Sequence, residues 1–352
     1  MAHANRGCPG GGSIFVKIGG VGAWSVATPD TRAAMETPVS KERLAELHCF
    51  TAIILLLLAA GRLIYIALCA TPLRPDIDPL LQDIPIFLFG AYFTFIRFHL
   101  ILALLLNGVA LVGVSFTGSF MASVLLVYSG RHLPMTDSIL AAADRLVGFD
   151  WPSVLKLFDR YPQMDWLLHL AYNSIFPQIF LVLFALALTQ QAERTYRFIV
   201  AMNLALLLTF VIGVFFPALG PYEFFGLSAA DHPNISLVTE AKTTAPIAWL
   251  RQATFDTPMP VPEVGLIWFP SFHAAAAAIY VWAVWRTPAI KLVGLGLNAL
   301  MMIATPVHGS HYVVDLFAGL AVALVSIAVA IWMFGLLRLR RQPIWSAAGS
   351  PA

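Results

Sequence analysis

Apolar stretches long enough to cross a lipid bilayer recur along most of this chain. A membrane-spanning helix needs about 20 predominantly apolar residues, and short polar or proline-containing breaks separate such stretches here. The sequence therefore predicts an all-α fold, a polytopic membrane bundle of about eight transmembrane helices. The predicted spans are 49–70, 80–97, 100–128, 165–188, 196–217, 268–286, 289–307 and 311–336.

The boundary between the second and third spans decides the count. Residues 84–128 are almost continuously apolar, and Arg97-Phe98-His99 is the polar interruption that separates two helices there. Without a turn at these residues, the count falls to seven. At the chain ends, residues 1–45 are predicted to be a disordered tail, 46–99 to form additional N-terminal transmembrane helices, and 338–352 to be a basic cytoplasmic tail.

The composition limits the classes of partner. Of the 352 residues, 59% are hydrophobic and 11% are charged, so membrane lipids are the expected main solvent. A net charge of +2 provides no broad basic surface, and nucleic acid is not expected as a partner. The three cysteines, Cys8, Cys49 and Cys69, form no C-x-x-C pair, so neither a disulfide framework nor a thiolate metal site is indicated.

Basic residues favour one orientation in the membrane. Lys and Arg accumulate in short cytoplasmic loops, and placing the N-terminus inside puts a basic residue in every inner segment. Both termini of this predicted plasma or inner membrane protein are then cytoplasmic. The two long loops, 129–164 and 218–267, lie outside, although they also carry Lys and Arg. Within the first of them, 137–160 is either an amphipathic segment on the membrane surface or a soluble cap packed on the bundle.

The segment 269–274, Phe-Pro-Ser-Phe-His-Ala, opens the sixth predicted span. Pro and Ser before an apolar run are helix-start signals, which makes Ser271 the expected N-cap and places His273 in the first turn. The first-turn amides of such a helix lack partners, so a phosphate can bind there beside His273. Five alanines follow, 274–278, and small side chains allow another helix to pack closely.

A second polar segment, 308–315, opens the last predicted span. His311 and Asp315 are four residues apart, so on a helix they share a face and the carboxylate can accept the imidazole N–H. That bond fixes the tautomer and makes the other ring nitrogen a better nucleophile. The alternation of the last three spans places both polar segments at the same outer level of the membrane. Asp315 deep in an apolar span is costly unless it is paired.

These motifs resemble the type 2 phosphatidic acid phosphatase superfamily. Pro270-Ser271-x-His273, a pair of spans, and Gly309-x-His311-Tyr312-x-x-Asp315-x-x-x-Gly319 are most similar to the branch of the inositol phosphorylceramide synthases, an inositolphosphotransferase branch. The resemblance implies a catalytic membrane domain at 100–337 with a six-helix core. It also implies a metal-independent enzyme without cofactors that acts on a phospholipid or lipid phosphate.

The resemblance assigns a role to each motif residue. His311 is expected to attack phosphorus and form a phosphohistidine, and Asp315 to orient His311. His273 is expected to protonate the leaving oxygen and later to activate water or an acceptor hydroxyl. Water as acceptor gives a phosphatase, and a bound alcohol gives a head-group phosphotransferase. The motifs leave both reactions open and indicate no oligomeric state.

The chain departs from the phosphatase branch at the phosphate-clamping bases. The K-x6-R-P motif is replaced by 216–222, which holds no base, and Ala304-Thr305 stands in place of Ser-Arg. Charge stabilisation is usually the largest catalytic contribution, so other groups must replace these cations. Arg251 in the second outer loop, helix N-terminal amides with Ser271, and Tyr222 are the candidates.

Two alternatives concern metal and function. His308, three residues before His311, is a candidate for phosphate binding. A zinc site on His308 and His311 would need a third ligand, with Glu263 and His232 available, but the spacing does not support one and no metal is expected.

The alternative function is a non-catalytic transporter or scaffold that keeps the fold. Transporters usually show paired halves, and the sequence shows no internal repeat.

Overall fold

A computed structural model describes residues 39–68, 85–86, 88–227, 229–236, 247, 251 and 267–339 of the chain. These residues contain helices and turns and no strand. The longer helices are α1 (Lys41–Leu68), α2 (Leu100–Ser129), α3 (Asp137–Leu146), α4 (Trp151–Asp159), α5 (Pro162–Asn173), α6 (Ile175–Leu188), α7 (Ala192–Phe215), α8 (Phe272–Val284), α9 (Pro288–Gly309) and α10 (Val313–Leu339). A π-helix lies at Tyr92–Ile96, and short helical turns lie at Gly130–His132, Pro221–Phe224 and Ala229–Asp231.

The predicted break after the second span is present. Arg97 ends the π-helix and α2 begins at Leu100, so the polar interruption at 97–99 separates two helices as expected. The start of α1 differs from the predicted tail boundary, because residues 41–45 are helical. The Ser40 hydroxyl accepts a hydrogen bond from the Arg43 amide at 3.2 Å and caps this end. Of the two predicted tails, residues 1–38 and 340–352 lie outside the described residues.

Three helices among the described residues are long and apolar enough to cross a membrane: Ala192–Phe215, Pro288–Gly309 and Val313–Leu337. A fourth span results if α5 and α6, which meet at a 58° bend, count as one. Each matches a span predicted from hydropathy. The described part of the chain is therefore helical and holds three or four candidate membrane spans, while the count of eight and the orientation stay predictions.

Helix α8 occupies the centre of the bundle. It packs against α6, α7, α9 and α10, and Ala274 to Ala277 on its first two turns are between 0% and 2% exposed. Methyl side chains let neighbouring backbones approach closely, as predicted from the alanine run. Because α10 and α8 start side by side, the two polar segments that precede them meet.

Gly319 allows this close approach of α10 to the start of α8. A Cβ built at Gly319 would overlap the backbone oxygen of Ser271 and lie 2.9 Å from the Ala274 methyl. We expect Gly319→Ala to lower the unfolding free energy by about 1–3 kcal/mol, as overpacking of a tight contact does. Thermal unfolding of detergent-solubilised protein measures the change.

Gly335, on the same helix, has no atom within 4 Å of a built Cβ. Gly335→Ala is therefore the matched control, and a small increase in the unfolding midpoint is expected from helix propensity. Equal midpoints for the two variants would contradict the proposed role of Gly319.

Helices α3 and α4 form a cap on the bundle, the second of the two alternatives for 137–160. Trp151 and Leu155 of α4 are buried, at 2% and 0% exposure. In α3, Asp137 and Asp144 are buried as well. An amphipathic surface segment would direct these carboxylates to water, so their burial against protein indicates specific partners.

Candidate active site

The His311–Asp315 pair is formed. Nδ1 of His311 lies 3.1 Å from Oδ2 of Asp315, and the two side chains are 6% and 0% exposed. His311 lies in the turn before α10, and Asp315 lies in the first turn of that helix. A buried carboxylate on Nδ1 orients the ring. The predicted pairing is present, although His311 precedes the helix and does not share a helix face with Asp315.

Two main-chain hydrogen bonds hold the turn that carries His311. The His311 amide donates to the carbonyl of Pro306 at 3.2 Å. The indole N–H of Trp151, in the α4 cap, donates to the His311 carbonyl at 3.2 Å. Because both bonds use the backbone, the turn is held independently of the imidazole.

His273 lies beside this pair, in the first turn of α8. Its ring stacks on Tyr172 of α5 with 4.1 Å between centroids and 10° between planes. A Cβ at Gly309 would lie 2.8 Å from the Tyr172 ring and 3.0 Å from Cδ2 of His311, so this glycine leaves room between them. The structure thus brings His273, His311 and Asp315 together.

The starts of α8 and α10 are joined through the backbone. Ser271 is the N-cap of α8, as predicted, and its hydroxyl accepts from the Ala274 amide at 3.4 Å. The Ser271 amide donates to the carbonyl of Asp315 at 3.0 Å. This bond fixes the start of α8, with His273, against the turn that holds His311.

Two carboxylates of helix α3 contact the site, and neither belongs to a motif that indicates this role. Asp137 accepts from the Tyr312 hydroxyl at 3.0 Å and from the Gly220 amide at 2.9 Å. Asp144 accepts from the amides of Val313 and Val314, each at 2.9 Å. Burial raises the pKa of the Asp144 carboxyl above its usual value, and these two N–H groups partly offset that rise.

Arg251 binds main-chain oxygens of the first long loop, 129–164. One guanidinium nitrogen donates to the carbonyl of Leu133 at 2.7 Å, and a second to that of Gly130 at 3.5 Å. The side chain borders a pocket that Pro217 and Trp268 also line. Because two of its nitrogens are bound to carbonyls, fewer donors are available for phosphate, and its role as a clamp stays a prediction.

Tyr222 and His308 have structural partners. The Tyr222 hydroxyl donates to the carbonyl of Val307 at 2.9 Å near the end of α9, and its ring contacts Trp151 edge-on. His308 is 1% exposed, and its Nδ1 lies 3.0 Å from the Ser236 carbonyl. Substrate contact by either side chain stays a prediction, since these bonds anchor loops to the end of α9.

Glu263, one of the possible third zinc ligands, lies outside the described residues. Within the described part of the chain, no three His, Cys, Asp or Glu side chains converge in a way that could hold a metal ion.

Comparison with known proteins identifies the family. The family model described as PAP2 superfamily matches residues 138–329, more than half of the chain, and this range includes His273, His311 and Asp315. No curated protein and no solved structure matches the chain significantly. Membership suggests phosphatase or phosphotransferase activity, while the inositol phosphorylceramide synthase branch has no support from these comparisons. With its paired histidines at two adjoining helix starts, the chain belongs to the PAP2 superfamily.

Proposed function

We propose that the protein is an integral membrane enzyme that removes or transfers the phosphoryl group of a lipid phosphate through a phosphohistidine on His311. The observation that carries this proposal is the buried Nδ1–Oδ2 contact of 3.1 Å between His311 and Asp315. His273 stacks on Tyr172, whose ring lies beside Gly309 next to His311. A carboxylate on Nδ1 leaves Nε2 as the nitrogen that attacks phosphorus.

In the first step, Nε2 of His311 forms a bond to phosphorus as the bond to the leaving oxygen breaks. His273 donates a proton to that oxygen. In the second step, His273 accepts a proton from the incoming water or alcohol, whose oxygen takes the phosphoryl group from Nε2. The first helical turn of α8, capped by the neutral hydroxyl of Ser271, provides amide donors for phosphate oxygens.

Transfer to an alcohol is the finer part of the proposal. The bases that clamp phosphate in the phosphatase branch are absent, since 216–222 and Ala304-Thr305 hold neither Lys nor Arg. The resemblance to the inositolphosphotransferase branch, with His311-Tyr312-x-x-Asp315, favours the same outcome. Transfer also requires that water be kept from the phosphohistidine, and the α3–α4 cap covers the turn that carries His311.

A panel of labelled phospholipids tests the function. We expect purified protein in lipid to turn over at least one lipid phosphate, and His311→Ala to give the blank value. Free phosphate as the labelled product would identify hydrolysis, and label transferred to an added alcohol such as inositol or a diacylglycerol would identify transfer. Equal signal from the wild type and His311→Ala on every substrate would refute the catalytic proposal.

A further inference from the structure

The start of α10 has an unusual cap. The first N–H groups of a helix have no partner within the helix, and the N-cap side chain normally accepts from one of them. Here the N-cap position is Tyr312, whose hydroxyl donates to Asp137. The Tyr312 amide donates to Oδ2 of Asp315 at 2.9 Å. This is the bond of a capping box in which the side chain at the third helical position accepts from the N-cap amide. The next two amides, of Val313 and Val314, need an acceptor from elsewhere.

Asp144 is that acceptor. Its Oδ2 accepts from Val313 and its Oδ1 from Val314, both at 2.9 Å. The two partners are 169 and 170 residues away in sequence, so this cap joins α3 to α10. The residue is 2% exposed. A buried carboxylate that accepts two amide bonds at a helix N-terminus also complements the positive end of the helix dipole.

This cap binds two residues that lie between the members of the His311–Asp315 pair. Val314 precedes Asp315 directly, and Val313 lies two residues after His311. Oδ2 of Asp315 accepts from both the Tyr312 amide and Nδ1 of His311. A shift of the first turn of α10 would therefore change the His311–Asp315 distance. We propose that Asp144 is a positioning residue that sets the His311–Asp315 geometry, an inference that rests on the proposed function.

The same cap determines where the substrate phosphate can bind. The first turn of α10 already holds the Asp144 carboxylate, and Asp137 and Asp315 lie nearby. An anion has neither free amides nor a favourable field there. The start of α8 has a neutral cap, Ser271, so the phosphate binds at α8 and makes no contact with Asp144. Loss of Asp144 should thus affect the chemical step and leave substrate binding unchanged.

Steady-state kinetics on the lipid phosphate that the panel identifies separate these effects. Asp144→Asn removes the charge and leaves one acceptor oxygen for two amides. We expect kcat to fall about tenfold or more, since small misplacements of reacting groups have effects of this size, while KM stays within about twofold. Asp144→Glu keeps the charge and two oxygens, and it should restore part of the lost kcat.

Asp150→Asn is the matched control. Asp150 lies at the start of α4, in the same pair of helices as Asp144. It is the N-cap residue of α4, and its carboxylate accepts a hydrogen bond from the Ser153 amide at 3.2 Å. It serves α4 and has no bond to α10, so its variant should keep the wild-type kcat. A rise in KM alone for Asp144→Asn, or an equal loss for both Asn variants, would overturn the proposal.

A second measurement is independent of turnover. The protein has nine histidines, and ¹⁵N-histidine labelling in detergent, with His311→Gln to assign the signal, reports the hydrogen bond at Nδ1 of His311. Asp144→Asn should shift this signal, and Asp150→Asn should not. An unchanged His311 signal in Asp144→Asn would refute the positioning role, whether or not the protein turns over a lipid phosphate. Absence of turnover by the wild type would count against the proposed function and would leave the positioning role to be decided by this signal. If Asp144→Asn does not fold, Asp144→Glu is decisive, because a carboxylate displaced by one methylene should still shift the signal and lower kcat.

Discussion

His311→Ala is expected to lower the turnover of the lipid phosphate by about 10³-fold or more, as loss of a covalent nucleophile does in other enzymes. Without the imidazole, the protein lacks the nucleophile that accepts the phosphoryl group in the first step. The fold should persist, because the bonds of His311 to Pro306 and Trp151 use its main-chain N–H and carbonyl. The measurement is kcat in mixed micelles, together with acid-labile radioactive phosphate retained on the protein after rapid quenching.

The control for this variant is His132→Ala. His132 lies in the short turn after α2, on the predicted outer side, and is exposed. The same substitution there should leave both kcat and the trapped phosphate at wild-type levels. Trapped phosphate on His311→Ala protein would show that another residue is the nucleophile.

Asp315→Asn is expected to lower kcat by about 10²–10⁴-fold, the range seen when the carboxylate that orients a catalytic histidine becomes an amide. The single oxygen Oδ2 accepts from both Nδ1 of His311 and the Tyr312 amide. An amide has no charge to stabilise a positive imidazolium, and its NH₂ group can favour the wrong tautomer. KM should change little, since Asp315 is 0% exposed and has no contact with solvent.

The fold of this variant must be shown separately, because Asp315 also caps α10. Asn has nearly the same shape and keeps one acceptor for the Tyr312 amide, while Asp144 continues to bind Val313 and Val314. We expect the thermal midpoint to fall by no more than a few degrees, about what loss of roughly 1 kcal/mol gives. A kcat within threefold of the wild type would show that Asp315 is structural only.

Much of the helical architecture follows from local sequence. Apolar stretches predict helices well because each backbone hydrogen bond of a helix joins residues only four positions apart. The sequence of a stretch therefore contains both partners of each bond. The N-cap role of Ser271 and the pairing of Asp315 with His311 also follow from local sequence, since each bond joins residues three or four positions apart. The crossing of the membrane by eight helices is not a local property of this kind, and it stays a prediction.

The side chains predicted to bind phosphate have other partners in the structure. Residue type and position near the motifs indicate Tyr222, His308 and Arg251 for this role. In the structure, each donates to or contacts a main-chain carbonyl: Val307, Ser236 and Leu133, respectively. Polar side chains near a site are often needed to satisfy loop backbone, and residue type alone does not distinguish this role from substrate binding.

Local sequence predicts a helical, lipid-adapted chain and the three residues expected to perform the chemistry, because these residues lie in short motifs at two helix starts. The distant groups that complete the site follow from the packing of the bundle. Tyr172 stacks on His273, and Asp137 and Asp144 bind the turn and helix start that hold His311. These contacts join residues about 100 to 175 positions apart, and no periodicity in the chain records a contact between helices that meet only when the bundle has packed.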